Sequence, residues 1–300
     1  MNPRTLLIVI LLILFSWSLK SVASEKSLLW RISGNGLETP SYLFGTHHLM
    51  PISFLNTIQG LNEAFESTKQ MVGELDMYDM TALQIQMTHR ALMPPNLSYE
   101  SLLNAEELAL LNNTLLSLTG AGLDQWSTKK PAMLSNMITV LLYHHYFPET
   151  NSGISMDAYF QQKARIRLRP VIGLETIDHQ LYVMFDVSSI ERQAFLLMCK
   201  LIHPDLMRET LHQLHSMYEV FDLHGLYQLW AEDHPDNPCP NTDCERNALN
   251  RDRNIRWLAQ LPSIMQEKPS FIAVGALHLP GENGLLQGLR RQGFVVKPVQ

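Results

Sequence analysis

The sequence predicts an α/β protein: a central mixed sheet flanked by helices, with large helical insertions between the strands. Three observations carry this expectation. Four short apolar runs each end in polar residues: "YLFGTHH" at 42–48, "MVGELDM" at 71–77, "RPVIGLET" at 169–176 and "SFIAVGALHL" at 270–279. The long stretches between them space their apolar residues as helices do. Strand-like and helix-like segments alternate along the chain, the pattern of a sheet with helices packed on its faces.

Taken in order, "SLLWRISG" and "SYLFGTHH" read as two strands joined by a turn through Gly34, Asn35 and Gly36. Ile58, Leu61 and Phe65 follow at helical spacing and lead into the strand at 71–77, so the chain opens as strand–helix–strand. A largely helical insertion is expected between Met80 and Arg167. It holds a short turn from Ser98 to Leu103, a helix from Ala105 to Leu118 stopped by Gly120, a helix from Pro131 to Phe147 that begins on proline, and one from Asp157 to Arg167. After the compact strand at 169–176, a second insertion runs from Ile177 to Met265. Two or three long helices, divided near His203-Pro204, give way to a Pro/Asn/Asp-rich loop and another helix from Glu245. The buried strand at 270–279, a short helix from Gly284 to Gln292 and the closing strand "FVVKPV" complete the chain.

Residues 1–24 differ from the rest. Arg4 precedes the apolar run 6–15, and "SVAS" follows at 21–24. A positive start, a short apolar core and small residues are the grammar of a secretory signal peptide. The core is shorter than the roughly 20 residues of a spanning helix, so no stable membrane span is expected after its removal. The alternative is an anchor formed by an uncleaved segment. The remainder, 25–300, reads as one domain, exported to the periplasm or secreted. Export favours disulfides, and Cys239 and Cys244, which bracket "PNTD", are expected to pair; a zinc site including His234 would lack a fourth ligand. Cys199 reads as a buried free thiol. At 46% apolar and 17% charged the chain is globular, and a net charge of −6 with no Lys/Arg block excludes a general nucleic-acid binder. Arg165, Arg167 and Arg169 alternate and read as the solvated face of one segment.

The chemistry gathers where the four strands end. Both end regions of the chain read Gly-x-x-His, as Gly45/His48 and Gly275/His278, and Glu74, Asp76 and Glu175 stand at the other two strand ends. Open sheets place ligands at the carboxyl ends of their strands. Imidazole and carboxylate are ligands for zinc, manganese, cobalt or iron. His48, His278 and Glu74 form an adequate set of three, with Glu175 available as general base. The glycine three residues earlier is expected to turn the backbone sharply so that the histidine faces the crevice. His47 is the weaker of its pair, because adjacent residues of an extended segment face opposite ways. There is no HExxH, no Gly-x-Ser-x-Gly and no Walker-type loop. His144 and His145, near the end of an apolar helix, are assigned to a dipole or packing role, and His212 and His215 to the surface.

With "YLFGTHH", "GELD", "VIGLET", "RNIRW" and "AVGALHLPGENGLLQGLRRQGFVV" in this order, the sequence resembles the TraB/PrgY/GumN family, which includes the Tiki proteases. The resemblance implies a metal-dependent hydrolase, with peptide-bond cleavage known for the Tiki branch. It places His48 and His278 on the histidines of the paired motif, Glu74 on the acidic residue after the second strand and Glu175 on the glutamate of the "GLET" segment. Arg253 and Asn254 match a polar pair before the last core strand, which would bind substrate or support the metal ligands. His47 departs from the pattern and leaves open whether one or two imidazoles of this segment reach the metal. The expected activity is that of an exported hydrolase using metal-activated water on a peptide or small-molecule substrate, with a divalent ion such as manganese, cobalt or zinc. Two alternatives remain: a non-catalytic peptide- or pheromone-binding protein on the same fold, and a haem or iron binder.

Overall fold

Leu29–Ser33 (β1) and Ser41–Thr46 (β2) pair antiparallel, with Leu29 opposite Phe44 and Ile32 opposite Ser41. The turn between them has positive φ at Gly34, Asn35 and Gly36 (77°, 46° and 82°), a run that glycine and asparagine tolerate and other residues resist. The computed structural model describes residues 26–151, 153–231 and 237–299. The segment 1–24, expected to be a signal peptide, and His234 lie outside the described residues.

Four further strands, Gln70–Gly73 (β3), Val171–Gly173 (β4), Ser270–Gly275 (β5) and Val295–Pro298 (β6), complete a six-stranded sheet in the order β4-β3-β5-β2-β1-β6. β4, β3, β5 and β2 run parallel to one another, while β1 is antiparallel to both of its neighbours. The mixed sheet and its α/β class match expectation. The parallel block brings the carboxyl ends of all four singled-out runs to one edge of the sheet.

Helices fill the intervals. α1 (Leu61–Ser67) joins β2 to β3. Between β3 and β4 lie α2 (Met80–Arg90), α3 (Tyr99–Leu102), α4 (Ala105–Thr119), α5 (Leu123–Trp126), α6 (Pro131–Tyr146) and α7 (Met156–Ile166). Between β4 and β5 lie α8 (Ile177–Phe185), α9 (Ile190–Ile202), α10 (Pro204–Glu219), α11 (Leu223–Ala231), α12 (Asp243–Arg246) and α13 (Asp252–Glu267), and α14 (Leu285–Arg291) precedes β6. The run 177–231 is thus four helices, cut by an N-cap at Ser189 and by Pro204 at the first position of α10. No helix among the described residues is long and apolar enough to cross a membrane.

Two larger cores and two smaller ones hold these layers. Phe44 of β2 and Phe271 of β5 meet Phe160 of α7 and Phe65 of α1, with ring centroids 4.8–5.7 Å apart. Such contacts are worth about 0.5–1.5 kcal/mol each beyond the area they bury, and they pin α1 and α7 to the two central strands. A separate helical core gathers Tyr99, Leu111, Leu115, Leu134, Ile138 and Leu197.

The cysteine expectation is corrected. Cys239 is bonded to Cys199, at the end of α9, and Cys244 is free and exposed. Cys244 belongs to the first turn of α12, where a Thr242/Glu245 capping box fixes the backbone. Short sequence spacing suggested the wrong partner, because the loop carrying Cys239 lies back against α9. Glu245 ties the same region together. It accepts from Ser188 Oγ at 2.6 Å, from Arg192 Nε and Nη2 at 3.0 Å each, and from the Thr242 N–H at 2.7 Å. Burial would raise its pKa; these donors outweigh burial and hold the carboxyl down at about 2.

Two outcomes follow. Non-reducing peptide mapping should link the peptides of Cys199 and Cys239 and leave Cys244 open to alkylation. Cys199→Ser should cost roughly 2–4 kcal/mol, whereas Cys244→Ser should stay within about 0.5 kcal/mol. The Glu245 carboxyl titrates lower in the folded chain than its ordinary value of about 4.3. Its contribution, at most about 3 kcal/mol, is therefore complete above that value and lost as pH falls towards 2. Denaturant melts of Glu245→Gln against wild type should show a gap at pH 7 that closes on acidification; a pH-independent gap would refute the assignment.

Candidate active site

The carboxyl ends of β3 and β4 continue their ladder by one step: the Glu175 N–H donates to the Glu74 carbonyl at 3.0 Å. This sets two acidic side chains side by side, where their charges repel. Arg253 of α13 answers both. Its Nη2 donates to Glu74 Oε2 and to Glu175 Oε1 at 2.5 Å each, and its Nε donates to Glu175 Oε2 at 3.0 Å. Gln180 Nε2 adds contacts at 3.3 Å to Glu74 Oε2 and to Glu175 Oε1. Burial would raise the Glu74 carboxyl; the guanidinium, the neighbouring imidazoles and the Gly275 N–H, which donates to Oε1 at 2.8 Å, hold it at about 2.

His278 follows β5 in a short 3-10 turn, and its ring is gripped at both nitrogens. Nδ1 lies 2.7 Å from Asn254 Oδ1 and Nε2 lies 3.1 Å from Arg253 Nη1. The Asn254 amide nitrogen donates to Asn250 Oδ1 and to the carbonyls of His278 and Asn283. Asn254 Oδ1 must therefore accept, so His278 carries its proton on Nδ1 and presents the Nε2 lone pair. Burial pushes this imidazole down to about 3, and its ring packs on Trp257 at 4.4 Å.

His48 lies beyond the end of β2. Its Nδ1 is 2.8 Å from Asp157 Oδ2 at the start of α7, and Thr46 Oγ1 donates to the other Asp157 oxygen at 2.9 Å. The imidazole is 63% exposed. The Asp157 carboxylate raises its pKa above the ordinary value, and solvent screening moderates the effect. His47 turns the other way. The Leu49 N–H donates to its Nδ1 at 3.2 Å, its ring lies 5.4 Å from Tyr143 and 5.1 Å from Tyr218, and burial lowers its pKa to about 3.

The two glycines of the repeated motif do not act as expected. Neither Gly45 nor Gly275 has a positive φ. They make room instead: a Cβ at Gly45 would lie 3.1 Å from the Ala276 backbone, and one at Gly275 would lie 3.3 Å from Glu74 Oε1. The surface assignment of His215 is also corrected. It is buried, stacked on Phe147 at 3.9 Å, with Nδ1 at 2.7 Å from the Tyr143 hydroxyl.

Glu74, Glu175, Arg253, Asn254 and His278 thus meet directly, and His48 acts on Glu74 through its charge. Sequence reasoning passed over Asp157, Gln180 and Asn250. Asp157 stands at the start of an expected helix, where an acidic residue needs no further explanation, and 109 residues separate it from His48. A divalent metal would find suitable donor chemistry here: one neutral imidazole with its tautomer fixed, a second with Nδ1 held by a carboxylate, and an ionised glutamate. An oxygen acceptor behind a ligating imidazole is the usual support for a metal-bound histidine. Among the described residues, however, no three His, Cys, Asp or Glu side chains converge closely enough to hold an ion. His278 Nε2 and Glu74 Oε1 are 3.9 Å apart, and Arg253 occupies the carboxylates.

Nitrogen NMR of His278 should show the Nδ1–H tautomer at pH 7 and no protonation down to pH 5. Asn254→Leu should lose that fixed tautomer and cost about 1–3 kcal/mol, the price of an unsatisfied buried N–H.

The TraB/PrgY/gumN family model matches residues 28–298. Over 315 aligned positions the chain is 22% identical to the Metalloprotease TIKI1 of Danio rerio, an alignment covering 90% of this chain and 63% of that protein. The chain therefore spans less than two thirds of that relative's length. No solved structure matches it. The family match takes in all six strands and every residue of the strand-end cluster, and the chain belongs to the TraB/PrgY/gumN family.

Proposed function

We propose that this chain is an exported metal-dependent hydrolase that cleaves peptide substrates. The observation that carries the reading is the meeting of His278, with its Nε2 lone pair presented, and the ionised Glu74 at the end of adjacent parallel strands. Family membership and the likeness to a metalloprotease support it. Export rests on the signal-like segment 1–24 and accords with the disulfide; the remainder, 25–300, is taken as one domain.

His48, His278 and Glu74 would hold the ion, with manganese, cobalt and zinc all suited to two nitrogens and an oxygen. A divalent ion bound there supplies a water whose pKa is brought towards neutrality. The chain's own residues do the rest. Asn254 keeps the His278 proton on Nδ1. Asp157 holds the Nδ1 side of His48 and leaves its Nε2 free. Glu175 accepts the proton from the attacking water, and its two-point contact with Arg253 fixes where that proton is received. Arg253 donates to both glutamates and carries the positive charge that keeps the buried Glu74 ionised.

Elemental analysis of purified mature protein, then peptide hydrolysis with and without chelator, tests the reading. His48→Ala and His278→Ala, each shown to be folded, should lose most of the bound metal, and their effects should not add. Glu175→Gln should keep the metal and lose about 10²–10⁴-fold in turnover. Wild-type metal content in both histidine variants would sink the shared site. Tight peptide binding without product would favour a non-catalytic binding protein, and a Soret band on reconstitution a haem protein.

A further inference from the structure

The helical core holds a polar group that the sheet-edge site does not use. Lys200, in the last turn of α9, donates to Ser135 Oγ of α6 at 2.8 Å. An ammonium has three N–H donors. The other two meet no protein acceptor among the described residues, and no carboxylate there pairs with this lysine. Its pKa is lowered by burial, the response of a cation without a counter-charge.

The ammonium borders a cavity of about 130 Å³ between α4, α6, α9 and α10, partly open to solvent and walled by Ile138, Leu142, Leu197 and Met207. Two threonine hydroxyls at its border are already committed: Thr114 donates to the Leu110 carbonyl at 2.9 Å and Thr139 to the Ser135 carbonyl at 2.8 Å. What remains is a mostly apolar cavity whose one cationic donor is Lys200, with Tyr146 also on its wall. The chamber is close in size to the ~150 Å³ apolar cavity known to take benzene. It shares no residue with the cluster around Glu74 and His278.

We propose that this cavity is a binding site for a small apolar monocarboxylate, its two oxygens on Lys200 Nζ and its hydrocarbon body against Ile138, Leu142 and Leu197. The same chemistry is offered by a free acid and by the carboxyl terminus of a peptide ending in an apolar residue.

Calorimetric titration of the full mature chain with benzoate and with its neutral isostere benzamide tests this directly. Benzoate should bind about tenfold or more tightly than benzamide, as a charge-assisted pair in an apolar site requires. Lys200→Met should erase that preference, and Ile138→Trp, which fills the chamber, should abolish binding of both. N-acetyl-leucine binding more tightly than benzoate identifies a peptide terminus as the source; weaker binding identifies a free acid. Equal affinity of the wild-type chain for benzoate and benzamide, no benzoate binding at millimolar concentration, or unchanged binding by folded Ile138→Trp would each overturn the proposal. The wild-type comparison needs no variant, so a substitution that fails to fold leaves the test standing.

Discussion

The Arg253 guanidinium donates to Glu74 and Glu175 from a side chain only 8% exposed, and the two carboxylates are 10% and 4% exposed. Two like charges on neighbouring strand ends cannot both stay ionised out of water without a cation. Removing one member of such a buried group costs about 3–5 kcal/mol, because the survivors are left uncompensated. α13 must therefore lie where its guanidinium reaches both strand ends. Trp257, Leu261 and Met265 on the same helix are buried in the main core, so the ionic and apolar demands on α13 agree. Pro262 interrupts this helix, and Gln292 Nε2 donates to the Leu258 carbonyl at 2.9 Å, the carbonyl left over by the proline.

That constraint also explains why the chemistry sits at one edge. β2, β3, β4 and β5 are parallel, so β3, β4 and β5 must each be reached by a crossover, and the four carboxyl ends share a direction. The long helical insertions supply those crossovers and send Asp157, Gln180 and Arg253 back to the edge. The imidazoles are consequently unlike. His278 is enclosed by Trp257, Asn254 and Arg253 and is neutral, whereas His48 stands in solvent beside a carboxylate. Equal sequence punctuation produced unequal environments, because α13 covers the turn after β5 while His48, beyond β2, stays 63% exposed.

What was legible in the sequence is what depends on near neighbours. The apolar runs, their polar ends and the repeated Gly-x-x-His are local patterns, and they gave the strands and three of the gathered side chains, Glu74, Glu175 and His278; Arg253 and Asn254 came from the family resemblance. Strand order and long-range partners depend on packing between distant segments. Hence the Cys199–Cys239 bond, closed over 40 residues, was hidden behind the nearer Cys244. The burial of His215 was hidden as well: a histidine about one turn before the end of an amphipathic helix looks alike whether its face meets water or, as here, Phe147 and Tyr143. The role of the motif glycines was misassigned for a related reason. Close approach of Ala276 to Gly45 is a tertiary fact, and it leaves the same letter in the sequence as a turn.

The adjacency of Arg253 and Asn254 follows from the shape of an imidazole. Consecutive helical residues point about 100° apart, so two neighbours cannot reach the same atom, but they can reach opposite ends of a ring laid across the helix. Arg253 meets His278 at Nε2 and Asn254 meets it at Nδ1. A π-helical turn at Asn247–Arg251 immediately precedes α13. It sets Asn250, whose Nδ2 holds the Leu277 carbonyl at 2.8 Å and whose Oδ1 receives the Asn254 amide. The widened turn thus fixes the backbone before His278 and the amide behind it at once. Such turns inside helices are uncommon and concentrate at functional sites. Here it has a definite use: it keeps the lone pair of a buried, neutral imidazole on the guanidinium that bridges the carboxylates.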